Sequence, residues 1–167
     1  DAICEIMQAA AQASGIELTH QFISECRGYL PNDTLARLLF SIMEQVGPPN
    51  WTDEHIAWME SLARECSPGA GLTLARDIGF YDTGTDYYGQ DDGEVSWRIP
   101  LGRVNWAYPV EVPIHHWAWT ALSGHDAGSP GPLMASRTLA IAAVRLLSQP
   151  TVVRDAQGEL RPLVVEH

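Results

Sequence analysis

Lysine is absent from this chain: its ten basic residues are all arginine, set against 21 acidic ones for a formal net charge of −11. A phosphate backbone is held by basic side chains, so neither nucleic acid nor an anionic membrane surface is an expected partner. Cysteine is scarce as well. Cys4, Cys26 and Cys66 are odd in number, widely spaced and form no Cys-x-x-Cys pair, so neither a disulfide framework nor a cysteine zinc site is supported, and buried free thiols are expected. No apolar run approaches the ~20 residues that span a bilayer, and the first residues lack the basic-then-apolar order of a secretory signal. A soluble, cytoplasmic protein is the expectation. There is no glycine-rich phosphate loop and no Gly-x-Ser-x-Gly elbow, so nucleotide handling and serine hydrolysis are poorly supported. Internal repeats and low-complexity tracts are also missing.

What is present is enough apolar sequence, 46% of 167 residues, to bury the core of one domain or of one domain plus part of another. The chain opens at Asp1 already inside a helical pattern, which suggests a piece of something longer. Ile3, Ile6, Met7 and Ala10 recur at helical spacing over residues 2–14, with Gly15 as the stop. From Ile16 the period changes to two, and Ile16, Leu18, His20 and Phe22 predict a half-buried strand running toward Arg27. After a break at residues 28–32, Leu35, Leu38, Leu39, Ile42, Met43 and Val46 form a broad helical face that Gly47-Pro48-Pro49 ends. A second capped start at Thr52 leads into a helix that stops near Cys66.

The stretch from Gly69 to Gly93 reads as a long functional loop, rich in glycine and aspartate. Residues 95–99 and 104–112 are expected to be strands, and residues 117–122 a third. The clearest helix begins at Pro130 or Pro132. Beyond Pro150 the pattern is ambiguous, with a short helix over residues 151–160 and an edge strand over residues 163–165 as the expectation.

Chemistry-bearing residues concentrate between Asp91 and Trp119. Neutral imidazole and carboxylate are the usual ligands of zinc or manganese in hydrolytic sites, and strand ends and loops commonly supply them. His115 follows a strand-like run and a proline, Glu94 follows a glycine, and Asp91 and Asp92 lie just upstream. His125-Asp126 reads as a loop pair, and His20 and His55 as structural. Trp97, Trp106, Trp117 and Trp119 suit a core, and their density also suits a pocket for an aryl or acyl group.

Several segments in register carry a resemblance. Tyr29-Leu30-Pro31-Asn32 with Thr34-Leu35-Ala36, then Val46-Gly47-Pro48-Pro49, then Asp91-x-Gly93-Glu94-Val95-Ser96-Trp97, then Pro113-Ile114-His115-x-Trp117 occur in the order and approximate spacing of one family. Over residues 1 to about 148 the chain resembles the p-aminobenzoyl-glutamate hydrolase branch of the metal-dependent amidohydrolase, aminoacylase and carboxypeptidase superfamily.

The resemblance implies an α/β fold in a two-domain metallopeptidase, with a catalytic domain built on a central sheet and a smaller α+β lid through which subunits form a homodimer. Residues 1–31 would end the lid, and residues 32–167 would form the C-terminal portion of the catalytic domain. It implies two divalent metal ions, zinc or manganese, and a metal-ligand role for His115, with His116 ranked below it. Glu94 stands where relatives usually have aspartate. Together with Asp91 it is the catalytic or supporting carboxylate that the motif implies. The implied reaction is hydrolysis of an amide bond in a small N-acyl amino acid or dipeptide. The family's other ligands precede the lid and have no counterpart in this chain, so a non-catalytic dimerisation or binding fragment is the alternative.

Overall fold

The computed structural model describes residues 2–66, 71–74, 76–80, 91–106, 108–111 and 115–165, with side chains to residue 161. Its elements are α1 (Ala2–Ser14), α2 (Asp33–Val46), α3 (Asp53–Cys66), α4 (Asp91–Ser96), α5 (Trp117–Ser123), a 3₁₀ turn (Asp126–Gly128), α6 (Pro130–Ser148) and α7 (Pro150–Val165). Among the described residues, no helix is long and apolar enough to cross a membrane.

Helix α2 forms where the apolar spacing predicts it and buries Leu35, Leu39 and Ile42. Its N-terminus is closed twice. Asn32 accepts the Leu35 N–H at 3.1 Å and donates to the Ala156 carbonyl at 3.0 Å, while Glu159 accepts from the Asp33 and Thr34 N–H groups at 2.5 and 3.0 Å. The first-turn amides have no intrahelical partner, and a carboxylate from α7 satisfies two of them at the positive end of the helix dipole. At the far end, Arg145 of α6 donates to Gln45 at 2.6 Å. The α2, α6 and α7 helices therefore pack as one unit, with Leu39, Ile42 and Ala142 at its centre. A second cluster gathers Met59, Leu62 and Ala63 of α3 with Ala118 and Leu122 of α5, Ala127 and Val110. Trp51 ties α3 to the 3₁₀ turn by donating to the Ala127 carbonyl at 3.0 Å.

The expected α/β fold with a central sheet is overturned, because the described residues contain helices and no strand. An isolated antiparallel bridge joins Leu72 to Val110. Residues 16–27, expected to be a strand, form neither helix nor strand among the described residues. Phe22 and Ile23 are 73% and 88% exposed, so the burial that a half-buried strand requires is missing.

Residues 95–99 do not form a strand either: α4 runs through Ser96 and a turn follows. Asp91, Asp92 and Glu94 crowd its first turn, where negative charge favours a helix. Residues 104–106 and 108–111 form no strand, and Val110 takes part in an isolated bridge. The run from Trp117 is helical because the buried pair is Ala118 and Leu122, four apart, rather than the alternating tryptophans. Ala156 and Leu160 show the same i,i+4 burial in α7, which continues through the expected edge strand at residues 163–165. Much of the expected functional loop from Gly69 to Gly93 lies outside the described residues.

The two clusters predict separable costs. Ile42→Ala and Met59→Ala each remove a fully buried side chain. Each is expected to lower unfolding free energy by about 2–5 kcal/mol in urea denaturation, whereas Leu147→Ala, 86% exposed, is expected to cost little.

Candidate functional site

The acidic window is built around α4, which is clamped to the segment at residues 27–30. Gly93 meets that segment so closely that a Cβ would lie 2.1 Å from the Arg27 carbonyl oxygen, which only glycine allows. Ser96, 1% exposed, accepts the Leu30 N–H at 2.8 Å and donates to the Gly93 carbonyl at 2.5 Å. Trp97 donates its indole N–H to the Gly28 carbonyl at 2.9 Å. Glu94 accepts three hydrogen bonds from one residue: the Arg27 backbone N–H at 2.9 Å and its guanidinium at 3.1 and 3.0 Å. The same guanidinium lies 5.0 Å above the Trp97 ring.

Electrostatics follow from these pairings. The guanidinium and then the backbone N–H of Arg27 hold the Glu94 carboxyl below the usual carboxylate range, and Glu94 in turn raises Arg27. Asp92 is lowered chiefly by its hydrogen bonds from Arg103, both 2.7 Å long, and Arg103 itself lies 3.7 Å over the Tyr29 ring. Asp91 is exposed at the start of α4, and its side chain makes no hydrogen bond among the described residues.

The histidine pair is placed elsewhere. His115 is exposed and has a left-handed backbone with φ of 66°, an unusual conformation for a non-glycine residue. His116 is committed to the fold, since its Nδ1 caps α5 by accepting the Ala118 N–H at 3.2 Å. Both line a shallow groove with Trp117, Trp119 and Thr120, and Tyr108 meets Trp119 edge to face at 4.9 Å. Helices α4 and α5 do not touch, so the fold does not bring Asp91 and Glu94 against the His115 groove.

Among the described residues no cluster of three or more histidine, cysteine, aspartate or glutamate side chains is positioned to hold a metal ion. An exposed imidazole without a hydrogen bond fits one corner of such a site, not the whole of it. His20, expected to be structural on a strand, is exposed in a segment that forms no strand among the described residues. His125 caps the 3₁₀ turn through Nδ1 and stacks flat on Trp58 at 3.7 Å. The His55 Nδ1 is buried with no partner among the described residues.

The sequence pattern does not single out Arg27 and Arg103, the two cations that organise the carboxylates. They lie 67 and 11 positions from their partners, and nothing in the local pattern around either arginine signals the pairing.

No protein-family model matches the chain, and no solved structure matches it. Among curated proteins, a p-aminobenzoyl-glutamate hydrolase subunit of Escherichia coli (strain K12) is 24% identical over 187 residues, covering 95% of this chain and 39% of that protein. The chain thus spans about two fifths of the length of the curated relative it matches. A distant link to a hydrolase family follows.

Because Glu94 and Asp92 have lowered folded-state values, their contribution to stability is fully present above the ordinary carboxylate range of about pH 4 and is lost as pH falls through those lower values. Thermal unfolding across acidic pH is expected to show a falling melting temperature. Glu94→Gln and Asp92→Asn are each expected to flatten that fall.

Proposed function

We propose that this chain is part of a metal-dependent amidohydrolase that cleaves the amide bond of a small N-acyl amino acid or dipeptide of the aminobenzoyl-glutamate kind. The observation that carries the reading is the distant relationship to a p-aminobenzoyl-glutamate hydrolase along 95% of the chain, with the His115 motif inside the related stretch. In this reading residues 1–31 end a lid through which two copies pair, and residues 32–167 belong to the catalytic part. The exposed apolar side chains of α1, Ile3 and Ile6, are in keeping with a pairing role.

His115 would hold one divalent ion, zinc or manganese, through its exposed ring. At such a centre, bound metal makes water nucleophilic near neutral pH and offsets the charge that develops on the carbonyl oxygen. The work of this chain's own residues is then positional. The cap provided by His116 holds the start of α5, so the neighbouring ring at 115 is presented from a rigid element. Trp117 and Trp119 give the groove an apolar wall for an acyl or aryl group. Asp91, exposed at the start of α4, stands apart from that groove among the described residues. Glu94, committed to Arg27, acts by keeping the segment at residues 27–30 against α4. The single candidate ligand gathered here favours one second reading, a non-catalytic binding or pairing module.

Replacing His115 in the full protein separates the two. His115→Ala is expected to lower bound zinc or manganese per chain and to reduce p-aminobenzoyl-glutamate hydrolysis by more than about 100-fold, beyond what a residue outside the ligand set contributes. His116→Ala is expected to keep the metal and cost about 1 kcal/mol of stability through the lost cap. Unchanged metal content and hydrolysis in the His115 variant would favour the non-catalytic module.

A further inference from the structure

A cavity of about 660 Å³ lies among α2, α6 and the segments at residues 77–80 and 103–106, within the size range of small-molecule sites. Its apolar lining includes Leu39, Phe40, Met43, Phe80, Trp106 and Met134. Phe40 and Phe80 meet edge to face with centroids 5.5 Å apart. Trp106 is seated on Gly131, where a Cβ would come within 2.4 Å of the indole. None of these residues lines the His115 groove. The ring sequence Trp106, Tyr108, Trp119, with centroid steps of 6.2 and 4.9 Å, stands between the two hollows.

The polar groups of the lining decide what it would accept. Both lining arginines are paired: Arg37 with Asp33 at 2.6 Å, its guanidinium lying 5.7 Å over the Phe80 ring, and Arg103 with Asp92. Glu159 is spent on two α2 amides. Asp77 and Asn105 line the cavity, are exposed, and make no hydrogen bond among the described residues. An anion would meet no uncommitted cation from this lining, and the chain's net charge of −11 opposes it further. A flat cationic ligand would meet the rings of Phe40 and Trp106, and a carboxylate and an amide that make no hydrogen bond among the described residues.

We propose that this cavity binds a small aromatic amine in its protonated form, at a place separate from the His115 groove and independent of any hydrolytic role. Methionine methyl groups report on it directly. Met43 and Met134 line the cavity, whereas Met59 is buried in the other cluster and Met7 lies on α1. The full chain, labelled at its methionine methyls, is titrated with tryptamine, indole and indole-3-acetate.

Tryptamine is expected to shift Met43 and Met134 saturably, with Met7 and Met59 unmoved, and to bind at least about fivefold more tightly than indole-3-acetate. Asp77→Asn, at an exposed position, is expected to bring tryptamine to the affinity of indole without changing the melting temperature. Shifts that fail to saturate, shifts spread over all four methyls, an acetate that binds as tightly as the amine, or an Asp77→Asn variant with unaltered preference would each overturn the proposal.

Discussion

The clamp between α4 and residues 27–30 is the constraint on which the site's arrangement depends. A six-residue helix has no independent stability, because nucleation costs more than so few hydrogen bonds return. It persists here because its groups are held from outside. Gly93 lets the Arg27 carbonyl approach, Ser96 and Trp97 engage the backbone at Leu30 and Gly28, and Glu94 takes both the amide and the guanidinium of Arg27. Most of these contacts are to backbone, so they specify where the chain runs more than which side chain follows.

That clamp also explains how an exposed arm is joined to a packed body. Residues 2–27 carry exposed Ile3, Ile6, Phe22 and Ile23, and among the described residues α1 touches no other helix, while Tyr29 and Leu30 are buried and held to Leu101 and to Ser96 of α4. Asn32 and Glu159 continue the attachment by closing the N-terminus of α2 onto α7. Attachment is therefore concentrated in a few residues, and the apolar surface beyond them is left for other contacts.

Several elements are legible in the linear pattern. Helix α2 shows the 3.6-residue spacing, an Asn cap and a Gly-Pro-Pro stop, and it forms over the expected range. Helices α1, α3 and α6 follow from similar signals. The expected strands fail for a common reason. Period two over a few residues describes where side chains would point, but a strand exists only if another strand supplies its hydrogen bonds, and residues 16–27 pair with none among the described residues. At residues 117–122 the large alternating tryptophans mask the small i,i+4 pair, Ala118 and Leu122, that is in fact buried. Of the candidate site, the acidic window and the histidine pair are visible as residue types. Their separation on elements that do not touch is not.

By itself the sequence determined the local preferences: which stretches wind into helices, where glycine and proline end them, the absence of a lysine-rich cationic surface, and which imidazoles and carboxylates are available for chemistry. Tertiary structure alone decided how those groups are used. Arg27 reaches Glu94 across 67 positions, His116 turns inward to cap α5, and His115 is left facing outward. The physical reason is that hydrogen bonds and ion pairs depend on distances in space of about 3 Å, which a linear order of residues does not specify until the chain has packed.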